Sequence, residues 1–153
     1  ILVGTILDTG ENDGPFAITD ISATCHMPDV IEAPYRPAML GEGSAHVSPS
    51  QGGDPPQAGA GSNEVPAFAG TRKRVRLGGP SCLAGDVIGE YSLPVPNEPG
   101  QRIAFLDQAH YSMVKTNTFN GVPLPSIWLW DSETDTLDCV KRFGYEEFRN
   151  RLS

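Results

Sequence analysis

Residues 78–86 read Gly-Gly-Pro-Ser-Cys-Leu-Ala-Gly-Asp, and they place a thiol, Cys82, four residues before a carboxylate, Asp86. Glycine admits close backbone approach and proline fixes the exit direction, so such a bend can aim both groups into one pocket. A thiol can serve as a general acid. A carboxylate only accepts, which suits a protonated amine. The same residues also suit a plain tight turn, with Cys82 as a small buried hydrophobe and Asp86 capping whatever begins at Val87. A second chemical stretch is His26-Met27-Pro28-Asp29. It reads as leaving a strand and setting a histidine and an aspartate on a loop, where Asp29 after proline also suits a turn. Glu32 and Arg36 lie within reach of that loop.

The chain has 153 residues and a net charge of −8, enough for one domain with a sizeable core. The acidic balance argues against nucleic acid, which needs a basic face. It agrees weakly with a cationic small molecule. Three cysteines, Cys25, Cys82 and Cys139, form no Cys-x-x-Cys pair, which argues against a disulfide framework and a metal site. That points to the reducing cytoplasm. No apolar run approaches the roughly 20 residues needed to span a bilayer. The chain opens on an apolar run without an initiator methionine, so it reads as the C-terminal piece of a longer protein.

The elements that must position these groups are mostly strands. Residues 1–7 and 16–22 flank a Gly/Asp/Asn turn, a hairpin signal. Residues 72–77 (Arg-Lys-Arg-Val-Arg-Leu) read as a basic edge strand. Further strands are expected at 87–93, 102–106 and 109–114, with a hairpin of 126–130 and 136–140 and a short helix at 145–152. Between residues 41 and 71, eleven of 31 are Gly or Pro, so 40–71 is expected to be a flexible insert in a domain of 1–39 and 72–153.

Three segments, in order, resemble one family. Residues 78–91 (GGPSCLAGDVIGEY) are similar to the catalytic cysteine loop of the alanine-racemase-like, fold-type III decarboxylases that use pyridoxal phosphate. Residues 109–121 (AHYSMVKTNTFNG) resemble their tyrosine segment. Residues 20–37 (DISATCHMPDVIEAPYRP) resemble the stretch after the barrel in the carboxynorspermidine (carboxyspermidine) decarboxylases. The resemblance implies a mainly β fold, the C-terminal β-barrel or sandwich domain, with the TIM-like barrel and its Schiff-base lysine elsewhere. Lys73, Lys115 and Lys141 do not match that lysine.

Carried over residue by residue, the resemblance makes Cys82 the proton donor, reaching across a dimer interface. Asp86 would meet the distal amine of a polyamine amino-acid substrate. Tyr111 would contact the cofactor phosphate, Phe119 would line the substrate pocket, and Asp29 and His26 would bind substrate. The assembly implied is a homodimer with shared sites, and this chain alone is expected not to decarboxylate. Leu83 departs from the acidic residue that diaminopimelate and ornithine decarboxylases carry after the cysteine. A diaminopimelate- or ornithine-type enzyme of the same fold is one alternative, and a stand-alone β binding module without catalysis is another.

Overall fold

The computed structural model describes residues 1–33, 35–42 and 71–152. The expected insert at 40–71 therefore lies outside the described residues except at its two ends. Those ends are tied to the sheet: Leu40 N–H donates to Ala104 O at 2.8 Å, and Val95 N–H to Thr71 O at 3.0 Å.

Strand β1 (Leu2–Glu11) turns through Asp13 and Gly14, both at positive φ, into β2 (Pro15–Thr19). The two pair antiparallel, as the hairpin signal requires. Two single helical turns follow, α1 (Ala23–His26) and α2 (Asp29–Glu32). Strand β3 (Arg72–Gly78) then pairs parallel with β2 and antiparallel with β4 (Val87–Pro94). Strand β5 (Arg102–Phe105) returns antiparallel to β1, giving the order β4-β3-β2-β1-β5. The mainly β reading holds, in a curled five-stranded sheet.

Two details differ from the sequence reading. β3 is an inner strand, not an edge, and Arg74 and Arg76 stand exposed on the face opposite Val75 and Leu77. Arg74 meets Glu90 at 2.7 Å, and Lys73 meets Glu11 at 3.9 Å. Residues 109–114 do not form a strand. His110 takes φ 54, which breaks extended backbone, and a single helical turn, α3 (Tyr111–Val114), follows.

The core lies on one face of the sheet, where Ile6, Ala17, Val75, Leu77, Ile88, Tyr91, Ile103 and Phe105 are buried with Met27 from the α1–α2 corner. Ile88 and Tyr91 both face inward although they lie three positions apart. A bulge makes this possible: Leu77 pairs with Gly89 and Gly78 with Val87, leaving Ile88 as the extra residue. Gly89 sits at φ +149, where a Cβ would be strained and only 3.3 Å from the Tyr91 ring. Tyr91 packs edge-on to Phe105 with centroids 5.4 Å apart, under the Arg36 guanidinium at 3.9 Å. Its hydroxyl donates to Pro37 O at 2.8 Å. Burial pushes the phenol's pKa well above its ordinary value.

Beyond α3, a 3₁₀ turn (Phe119–Gly121) precedes a separate two-stranded sheet, β6 (Ile127–Asp131) and β7 (Thr136–Lys141), then α4 (Tyr145–Arg149). Both were expected from the pattern. Among the described residues no helix is long and apolar enough to cross a membrane.

Candidate active site

The cysteine loop leaves β3 at Gly78 and re-enters the sheet at Val87. Asp86 holds it. This carboxylate is 4% exposed. Both its oxygens accept from Ser22 Oγ at 3.0 Å, Oδ1 from Thr24 N–H at 3.2 Å, and Oδ2 from Ser81 N–H at 3.1 Å. Ser22 Oγ in turn accepts from Cys25 N–H at 3.0 Å, the side-chain cap of α1. A Cβ on Gly79 would fall 2.4 Å from an Asp86 oxygen, so the loop closes on its carboxylate only with glycine there. Within this chain the carboxylate expected to meet a substrate amine accepts from these internal donors. It does not cap Val87, which begins a strand. It serves the start of α1, 62 residues away in sequence.

Cys82 is exposed, and its backbone N–H donates to Asn120 Oδ1 at 3.1 Å. Asn120 occupies φ 57, a left-handed position that asparagine tolerates. The preceding Phe119 is 44% exposed. Its N–H donates to Asn117 Oδ1 at 3.0 Å. Asn117 donates from its backbone to Cys25 O at 3.0 Å and from Nδ2 to Thr24 O at 2.9 Å. Cys25 Sγ lies 3.5 Å from Phe119 O as donor, and burial pushes this thiol's pKa up, keeping it protonated. The three segments picked out by sequence, around residues 22–29, 79–86 and 111–121, therefore meet in one hydrogen-bonded cluster with Cys82 at its surface.

His26, expected at the substrate, is a buried member of that cluster. It is 4% exposed; Nδ1 accepts from Ser22 N–H at 3.2 Å, which leaves the proton on Nε2 for Pro123 O at 2.9 Å. Burial pushes its pKa down, consistent with a neutral ring. It ends α1 rather than sitting on a loop, and Asp29 begins α2.

Asp29 and Glu32 both engage Lys115 Nζ, at 2.5 and 2.9 Å. Those two carboxylates hold the ammonium above its ordinary range. Tyr111, the first residue of α3, is 69% exposed, with Lys115 Nζ 5.7 Å from its ring centroid. Arg36 is occupied by Glu42, Glu90 O and the Tyr91 ring. Sequence reasoning missed Ser22, Asn117 and Asn120. Asn120-Gly121 signalled a turn, but nothing in the sequence says which amide its side chain meets.

No family model matches the chain. Carboxyaminopropylagmatine decarboxylase of Synechocystis sp. is 39% identical over 152 residues, covering 99% of this chain and 33% of that protein. The crystal structure of carboxynorspermidine decarboxylase from Campylobacter jejuni, complexed with norspermidine, superposes with a TM-score of 0.74 at 33% identity. It covers 98% of this chain and 37% of that one. A diaminopimelate decarboxylase gives a TM-score of 0.69 at 16% identity, a likeness of fold alone. The chain spans about a third of the length of the relatives it matches. Along its whole length the chain is thus homologous to one third of the carboxynorspermidine-type, fold-type III decarboxylases, and it carries the fold which that third has in them.

Proposed function

We propose that this chain is the C-terminal β-domain of a pyridoxal-phosphate-dependent decarboxylase that releases CO₂ from a carboxynorspermidine- or carboxyspermidine-type amino acid. The observation that carries this reading is the cluster that ties the Cys82 loop to the α1 and Phe119 segments, in a fold shared at 33% identity with the Campylobacter jejuni enzyme. Cys82, Tyr111 and Phe119 are all displayed at the surface, which suits sites completed by another domain or a second subunit, as in a homodimer. Three unpaired cysteines suit a cytoplasmic location.

The residues present fit a share of the cofactor site. The exposed phenol of Tyr111 is free to donate to a phosphate oxygen. The lysines are otherwise engaged: Lys73 by Glu11, Lys115 by Asp29 and Glu32, and Lys141 over the Phe143 ring at 4.7 Å. A Schiff-base lysine would come from outside this chain. When bound, pyridoxal phosphate supplies the electron sink that lets CO₂ leave.

Cys82 then acts on the substrate's α-carbon. The electron pair left there by the broken carbon–carboxylate bond takes the Sγ proton, a C–H bond forms, and the thiolate recovers a proton from water. Asp86 acts indirectly, holding the loop that carries the thiol. Asp29 remains the carboxylate for a substrate ammonium, reached by displacing the Lys115 ammonium.

The test is Cys82→Ala in the full-length protein. Turnover should fall by about 10²–10⁴. Aldehyde from protonation at the wrong carbon should rise against the amine product. Normal turnover with clean amine product would refute the role.

A further inference from the structure

We infer that Asn120 is a positioning residue for the proton-donating thiol, through the hydrogen bond its Oδ1 accepts from the Cys82 backbone N–H at 3.1 Å. This rests on the role proposed for Cys82. The loop is fixed at two places of different kind. Asp86 fixes the shoulders, taking Ser81 N–H with its side chain and Gly79 N–H with its carbonyl at 2.9 Å. At the apex, where the thiol is attached, the side-chain acceptor for the Cys82 amide comes from Asn120, 38 residues later in sequence.

Asparagine meets both demands of that position. It tolerates φ 57, and its amide oxygen presents an acceptor to the neighbouring segment. Glycine would meet only the first demand and aspartate would meet both. The two roles of the residue, turn former and anchor, are therefore separable by substitution. Phe119, its neighbour, is held through Asn117 and Cys25, so the anchor stands on a fixed base. A thiol that must reach one carbon and not another depends on sub-ångström placement. Loosening the Cys82 backbone should therefore cost the choice of protonation site more than it costs substrate binding.

The experiment compares Asn120→Gly, Asn120→Asp and Cys82→Ala in the full-length protein. Three quantities are read: hydrogen exchange at the Cys82 amide, the aldehyde-to-amine ratio, and kcat against KM. Asn120→Gly should keep the thermal midpoint, because the turn accepts glycine. Exchange at Cys82 should accelerate about fivefold to tenfold, the loss of one hydrogen bond. The aldehyde share should rise and kcat should fall with KM unchanged. Asn120→Asp should restore all three. Unchanged exchange and unchanged product ratio in Asn120→Gly overturn the inference. If Cys82→Ala diverts product while Asn120→Gly does not, only the anchor falls. If Cys82→Ala still gives clean amine at the normal rate, the thiol's role falls and the anchor with it.

Discussion

Strands β4 and β7 carry comparable apolar residues, yet the chain treats them oppositely. In β4, Ile88, Tyr91 and Leu93 are essentially buried, beneath Phe105 and Arg36. In β7 every residue is exposed, and Leu137 and Val140 stand 64% and 57% open, beside Trp130 of β6 at 65%. Both strands pair antiparallel with one neighbour along most of their length, each ladder broken by a single register shift. Pairing alone therefore makes a strand, and a layer on one face makes it a source of stability. A two-stranded ribbon without that layer contributes little of its own.

Three substitutions or conditions press on this contrast. The largest effect should come from Tyr91→Ala, which empties the site under Phe105 and leaves Pro37 O without its donor. A loss of about 3–5 kcal/mol in urea unfolding is expected. A loss no larger than that of a surface change would break the comparison.

The second test uses His26, on the buried side. Its ring is held neutral by burial, so its folded pKa lies below the unfolded value. The unfolded chain then binds the extra proton, and stability is lost as pH falls below about 6.5. Below the depressed folded value the loss levels off. Urea midpoints across that range should slope in the native protein and flatten in His26→Asn. An identical slope in the variant would assign the proton elsewhere.

The smallest effect is expected for Leu129→Ser, at a β6 side chain 65% exposed. Unfolding free energy should stay within about 0.5 kcal/mol. A drop approaching that of Tyr91→Ala would show that the hairpin supports the sheet after all.

Much of the sheet was legible because alternation of apolar and polar residues records which face is covered. The β1–β2 hairpin, β4 and β5 could be read that way, and so could β6–β7, where turn residues bound the strands. Residues 109–114 could not, because one backbone angle at His110 decides the outcome and no composition encodes it. The parallel pairing of β2 with β3 was also hidden, since it depends on where a long connection returns. At the site, the motifs picked out Cys82 and Tyr111, and both stand exposed. Asp86 and His26 were chemically suggestive, but their partners far along the chain, Ser22 with Thr24 and Pro123, were not legible. Local sequence names a side chain's chemistry, and long-range packing decides whether that chemistry is free.

The cluster around Cys82 also orders events in time. Its first tie joins residues 64 apart, Ser22 and Asp86, and its next joins Cys82 to Asn120. On a ribosome the chain grows from its N-terminal end. The cysteine loop can be gripped at its shoulders as soon as residue 86 has emerged, yet its apex must wait for residue 120. During that interval of translation the cysteine loop is held at its shoulders while its apex, with the Cys82 thiol, is still without its Asn120 tie.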